Sequence, residues 1–172
     1  MATASHPDLA WPPIEALLSA IRGHHVGRHP ITQWAHHLGE IHLGLLHHHA
    51  ADIESAQGER LETIRQINRW LRAHAPTAHR TARPCPESVG ELVDRIAAAQ
   101  VLAYRLLLSR TGDDLEVHEA WTRLAILVDT WNDLVAGIDR GSYSLQTARP
   151  ARLVRDNPRS GDDPALDEYK TK

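Results

Sequence analysis

The chain has 172 residues, of which 42% are apolar and 24% charged, with a formal net charge of −3 at pH 7. Its length fits one domain with a substantial buried core, and no apolar run approaches the roughly 20 residues that a membrane span needs. The small acidic excess, together with the lack of a basic stripe on any predicted helix, argues against nucleic acid as a partner.

The N-terminal stretch MATASHPDLAWPP contains neither the basic segment nor the apolar segment of a signal peptide, so we expect a cytoplasmic protein. The overlapping stretch WPPIEALLSAIR, residues 11–22, predicts a short amphipathic helix. Its apolar residues recur at helical spacing after two prolines that suit a first turn, and Gly23 is expected to end it.

Two longer helices are predicted next, over residues 31–55 and residues 57–75. The buried side of the first of them is expected to consist of Ile31, Trp34, Ala35, Leu38, Ile41 and Leu45. The apolar stripe of the other is Leu61, Ile64, Ile67 and Leu71. Residues 76–88 form the longest predicted loop, and this loop contains Cys85. As the single cysteine it cannot form an internal disulfide, which fits a reduced compartment.

The last two predicted helices cover residues 87–110 and residues 113–141. The first opens with Ser88 followed three positions later by Glu91, which is the pattern of a capping box. The second begins with acidic residues that complement the helix dipole and stops at Gly141.

These elements predict an all-α fold, an antiparallel helical bundle of four long helices plus one short N-terminal helix. No stretch alternates between apolar and polar residues over a useful strand length. We expect one domain over residues 1–145. Residues 146–172 are rich in Arg, Asp and Pro without periodicity, which predicts a mostly disordered charged tail.

Six of the 13 histidines lie in WAHHLGEIHLGLLHHHA, residues 34–50, and a helical wheel divides them into groups. Solvated, outward positions are expected for His36, Glu40 and His47, and marginal ones for His37 and His48. His42, His49 and Asp52 fall on or beside the buried side. Because a histidine beside a carboxylate is a common general base, these three are the candidate catalytic residues. The alternative is that they are hydrogen-bonded core residues.

Polar and aromatic side chains at or near the apolar stripes of the helices are the candidate substrate-binding residues. Buried polar groups need partners, which are each other, water or a ligand. The alternative is that each of them is satisfied independently or faces the surface. The candidates are Trp34, Asn68, Gln100, Tyr104, Trp121, Asp129 and Asn132.

Neither a metal site nor a cofactor is predicted. The chain lacks the Glu-x-x-His motif of di-iron bundles and the His-Glu-x-x-His motif of zinc peptidases. It also lacks the glycine-rich phosphate-binding motifs and the serine-nucleophile motif Gly-x-Ser-x-Gly. Exposed histidines are expected to capture zinc or nickel without this being the function.

Four segments carry a resemblance to a known family: AHHLGEIH (35–42), IRQINRW (64–70), ESVGELVDRIA (87–97) and EAWTRLAILVDTWNDLVA (119–136). Over these segments the chain resembles a small bacterial helical family, common in high-GC soil bacteria and known only as a domain of unknown function. The resemblance implies a short all-α protein without an assigned reaction. The polar positions that belong to the family pattern are His42, Glu87, Ser88, Asp94, Trp121, Arg123, Asp129 and Asp133.

The leading functional hypothesis is a small enzyme that acts on an organic metabolite, in specialised biosynthesis, with His42 and His49 as acid or base. Isomerisation, dehydration or cyclisation would need no cofactor. The first alternative is a non-catalytic homodimeric ligand-binding or scaffold module, in which Leu43 and Leu46 contribute to the subunit contact. The second alternative is a metal or haem protein.

Overall fold

The described residues form the all-α bundle that the sequence predicts, with five helices. The computed structural model describes residues 11–47, 50–109 and 114–147. Its helices are α1 (Ile14–Ile21), α2 (Pro30–Leu45), α3 (Ala50–His74), α4 (Val89–Ser109) and α5 (Leu115–Asp139). Within the described ranges, no helix combines the length and the apolar character that crossing a membrane requires.

The helix α4 lies at the centre of the bundle, because it packs against α1, α2, α3 and α5. Its fully buried side chains include Val93, Ile96 and Ala103, which form an apolar stripe along the helix. Removing each large aliphatic side chain from water contributes about 1.5–3 kcal/mol, so this stripe supplies much of the stability of the fold. Polar groups on α4 that share the interior therefore need specific partners.

The helix ends follow their sequence signals. The Ser88 hydroxyl accepts a hydrogen bond from the backbone N–H of Glu91 at 3.2 Å, and the Glu91 carboxylate accepts one from the backbone N–H of Ser88 at 3.0 Å. The predicted capping box is thus confirmed. The helix α5 stops just before Gly141, whose φ of +66° is a conformation that favours glycine.

The second predicted helix was wrong in its extent. The structure ends α2 at Leu45 and begins α3 at Ala50, so residues 50–55 belong to the third helix. Histidine is a weak helix former, and α2 ends shortly before the run of histidines that starts at His47. His42 and Asp52 therefore lie on different helices, and helical spacing does not relate their positions.

A small parallel sheet was also not predicted. The strand β1 (Arg83–Cys85) lies in the predicted loop, and β2 (Tyr143–Thr147) extends past the predicted start of the tail at residue 146. Strands of 3 and 5 residues are too short to show alternation in sequence. The sheet ties the chain after α5 to the connection between α3 and α4.

Candidate functional site

Asp94 is the carboxylate that the structure places beside His42, the first of the predicted catalytic residues. Nε2 of His42, on α2, lies 2.8 Å from Oδ1 of Asp94, on α4. Arg60, on α3, donates from Nε to Oδ1 at 2.8 Å and from Nη2 to Oδ2 at 2.6 Å. The Asp94 side chain is only 3% exposed. One buried carboxylate therefore joins three helices.

The charge of this cluster follows from its contacts. Burial raises the pKa of Asp94, but the hydrogen bonds from His42 and Arg60, together with their charges, outweigh burial and hold the pKa below its ordinary value. The hydrogen bond to Asp94 raises the pKa of Arg60. Asp94 is consequently an anion at neutral pH, and Nε2 of His42 carries the proton that it donates.

Sequence reasoning missed this pairing. Asp94 stands inside the apolar run of α4, between Val93 and Ile96, and a charge at such a position is a signal for a buried partner. The partners come from two other helices, however, and spacing within one helix cannot identify them. His49 lies outside the described residues, as does the side chain of Asp52.

Asn68 has a capping role in the structure. Its Nδ2 donates to the Ser88 hydroxyl at 3.0 Å, and its Oδ1 accepts from the backbone N–H of Gly90 at 2.9 Å. Both ends of the amide thus hold the start of α4. A small cavity of about 190 Å³ lies beside it, and its lining includes the buried Cys85. Burial raises the pKa of the Cys85 thiol, which keeps it neutral.

The remaining predicted binding residues are dispersed. The ring of Trp34 packs against that of Trp70 with centroids 6.1 Å apart, while Trp121 packs beside Tyr104 at 6.3 Å. Asp129 and Asn132 are exposed on α5. The predicted set therefore does not converge on one site.

Two of the predicted residues, Gln100 and Tyr104, do share a groove. It has a volume of about 630 Å³ and lies between the end of α1, the face of α2 and the second half of α4; we call it the α1–α2–α4 groove. His42 and Asn68 are not part of its lining. The lining residues that matter for its chemistry are Arg22, His36, Glu40, Leu43, Gln100, Val101, Tyr104, Arg105 and Leu108.

Gln100 is the unusual residue of the groove. It is 1% exposed, and its Oε1 is the buried side-chain polar atom that has no hydrogen-bond partner within the described ranges. An unsatisfied buried acceptor costs about 1–3 kcal/mol. Such groups are rare in folded proteins, and each of them calls for a specific explanation, such as a functional role, a water molecule or an ion.

His36 lines the same groove, although a solvated outward position was predicted for it. Its side chain is half-buried, and Nδ1 donates to the backbone carbonyl of Ala20 at 3.0 Å. The prediction considered only the main stripe of α2, whereas α1 covers a second face. Gly39 makes this close packing possible, since a Cβ there would lie 2.5 Å from the carbonyl oxygen of Ile21. His47 and Glu40 are exposed, as predicted.

Two guanidinium groups border the groove. The Cζ of Arg22 lies 5.3 Å from the ring centroid of Tyr104, and its Nη1 is 3.5 Å from the Tyr104 hydroxyl. Arg105 donates from Nη1 to the carbonyl of Leu46 at 3.4 Å. Neither arginine pairs with a carboxylate in the described part of the chain. The groove thus combines apolar walls with uncompensated positive charge.

No group of three or more His, Cys, Asp or Glu side chains that could hold a metal ion is present among residues 11–47, 50–109 and 114–147. Comparison with models of known protein families, with curated proteins and with solved structures finds no match to this chain. The resemblance to the bacterial family of unknown function stays a prediction.

Proposed function

We propose that the protein binds a small organic molecule in the α1–α2–α4 groove. The observation that carries the proposal is the buried Oε1 of Gln100, which has no partner among the described residues, in a residue that belongs to the groove lining. The volume of about 630 Å³ lies within the roughly 300–1,000 Å³ of ligand pockets. Such pockets typically combine apolar walls with a few polar groups that fix orientation.

Binding would resolve the energetic cost that Gln100 carries in the free protein. A ligand N–H or O–H group that donates to Oε1 satisfies the acceptor, while Leu43 and Val101 exchange water for ligand atoms. Both contributions favour the complex, the first by about 1–3 kcal/mol and the second in proportion to the apolar area removed from water.

Indole is a suitable first probe, because it is apolar and neutral and carries one N–H donor. In a titration followed by ¹H–¹⁵N correlation spectra, we expect saturating shifts for the backbone amides of Gly39 and Val101 and for the side-chain amide of Gln100. Leu43→Trp fills the groove from its wall and should weaken binding at least about fivefold, or about 1 kcal/mol.

The matched control for the groove-filling variant is Leu61→Trp, since Leu61 on α3 is 46% exposed, close to the 51% of Leu43, and does not line the groove. Indole should bind this control as it binds the unmodified chain. Absence of shifts at the groove residues up to millimolar indole, or equal binding by the two tryptophan variants, would contradict the proposal.

A second candidate function is acid–base catalysis without a cofactor in the same groove. It is favoured by His36, which lines the groove, donates from Nδ1 to the Ala20 carbonyl and has its Nε2 3.7 Å from the Glu40 carboxylate. For a substrate found to occupy the groove, His36→Gln should then abolish turnover and leave its Kd unchanged. Equal turnover by His36→Gln and the unmodified chain would exclude this role.

The predicted roles of His42 as acid or base and of Leu43 and Leu46 in a homodimer stay predictions. Leu43 and Leu46 are both exposed in the single chain. A dimer that covered them would also cover one wall of the groove. Light scattering with and without indole therefore shows whether this surface serves as a subunit contact or as a ligand-binding surface.

A further inference from the structure

We infer that the α1–α2–α4 groove takes an amphipathic acid, with an apolar body, a carboxylate that pairs with Arg22, and an N–H or O–H group that donates to Oε1 of Gln100. The inference rests on the proposed function and adds the chemical class of the ligand. It combines three features of the groove: its charge, the spacing of its polar groups and its apolar walls.

The charge of the groove selects an anion. Arg22 and Arg105 are permanently charged and have no carboxylate partner in the described ranges, while the single carboxylate of the lining, Glu40, lies 3.7 Å from Nε2 of His36. A guanidinium group matches a carboxylate with two parallel hydrogen bonds. Tyr104 holds Arg22 in place through its ring and its hydroxyl, so the arginine is oriented before a ligand arrives.

The spacing of the polar groups sets the shape of the ligand. Gln100 and Tyr104 are one helical turn apart on α4, which is about 6 Å along the helix axis. Because Arg22 lies over Tyr104, the acid group and the donor group of the ligand bind at residues that are one helical turn apart on α4.

Apolar side chains form the walls of the space between and beyond the polar groups. Val101 and Leu108 on α4 and Leu43 on α2 line this space, and Leu108 is 81% exposed in the single chain. An aromatic or aliphatic ligand body would remove these side chains from water. The three features together describe a molecule with an apolar centre and polar groups at opposite ends.

The experiment compares three probes by titration calorimetry on the full chain. Indole-3-propionic acid carries the acid, the N–H and the aromatic body. Indole-3-propionamide lacks the negative charge, and 1-methylindole-3-propionic acid lacks the N–H donor. We expect the complete acid to bind at least about tenfold more tightly than either analogue. Its affinity should also fall as salt increases, because screening weakens the ion pair with Arg22.

Variants assign each preference to its residue. Arg22→Gln should remove the advantage of the acid over the amide and keep that of the N–H over the N-methyl compound. Gln100→Met should remove the advantage of the N–H compound over the N-methyl compound and keep that of the acid over the amide. Two controls outside the groove, Arg28→Gln and Gln33→Met, should leave both advantages unchanged, since both residues are exposed and neither lines the groove.

The outcomes separate this inference from the proposed function. If the three probes bind with equal affinity and all are weakened by Leu43→Trp, the groove binds small molecules and the inference of an amphipathic acid is overturned. If indole and all three probes fail to bind, the proposed function fails as well. Loss of the acid preference in Arg28→Gln to the same extent as in Arg22→Gln also overturns the inference, because the charge effect would then be nonspecific.

Discussion

Asp94→Asn tests whether the buried carboxylate holds α2, α3 and α4 together. The substitution keeps the size of the side chain but removes the anion that accepts from His42 at 2.8 Å and from Arg60 at 2.8 and 2.6 Å. Removing one partner of a buried ion pair costs about 3–5 kcal/mol. Because the Arg60 side chain is 30% exposed, water recovers part of this loss, and we expect a cost of about 2–4 kcal/mol.

The assay is urea and thermal unfolding at pH 7, followed by circular dichroism at 222 nm. For a domain of this size the expected cost corresponds to a fall in Tm of roughly 10 °C. The control is Asp133→Asn, which replaces an exposed carboxylate on α5 and should change the free energy of unfolding by less than about 0.5 kcal/mol. Equal stabilities of the two variants would refute a structural role for Asp94.

The pH dependence of the free energy of unfolding, measured for the unmodified chain and for Asp94→Asn, gives a second test of the Asp94 contacts. The pKa of Asp94 in the folded chain is below its ordinary value, which is about 3.9 in unfolded chains. Its contribution is therefore fully present above about pH 4 and is lost as the pH falls through the folded pKa. The stability difference between the unmodified chain and Asp94→Asn should therefore shrink as the pH falls below about 4. A difference that stays the same below about pH 4 would contradict the assignment.

Two further substitutions test the packing of the groove by urea unfolding. Gly39→Ala should destabilise the chain by about 1–3 kcal/mol, because its Cβ would lie 2.5 Å from the backbone carbonyl oxygen of Ile21. Gly58→Ala on α3, where a Cβ meets nothing within 4 Å, should instead stabilise it by about 0.5–1 kcal/mol; equal effects would disprove the close approach of α1 and α2. Gln100→Met should leave the free chain as stable as before or up to about 1 kcal/mol more stable, and a loss above 2 kcal/mol would show that Oε1 already has a partner.

The sequence predicts the features of this fold that are local. Of the predicted stripe of α3, Ile64, Ile67 and Leu71 are buried, whereas the prediction was wrong for Leu61, which is 46% exposed. Ser88 and Glu91 form the capping box because both groups lie within one helical turn. Gln100 is one of the polar residues that the sequence marks as candidates for binding, and the candidate site depends on it.

The features that the sequence does not reveal depend on contacts between separate elements. His36 faces away from the main stripe of α2, and only the packing of α1 on that face brings it into the groove. Asp94 finds Arg60 and His42 on two other helices. The strands β1 and β2 pair across more than 50 residues of sequence, and neither has a pattern of its own.

The most direct test of ligand binding in the groove is a set of isotope-filtered nuclear Overhauser measurements on the complex with indole. The groove predicts contacts from indole protons to the methyl groups of Leu43, Val101 and Leu108 and to the side-chain amide of Gln100. In Leu43→Trp these contacts should disappear. Contacts confined to residues elsewhere, such as Leu71 beside the smaller cavity, would contradict the account.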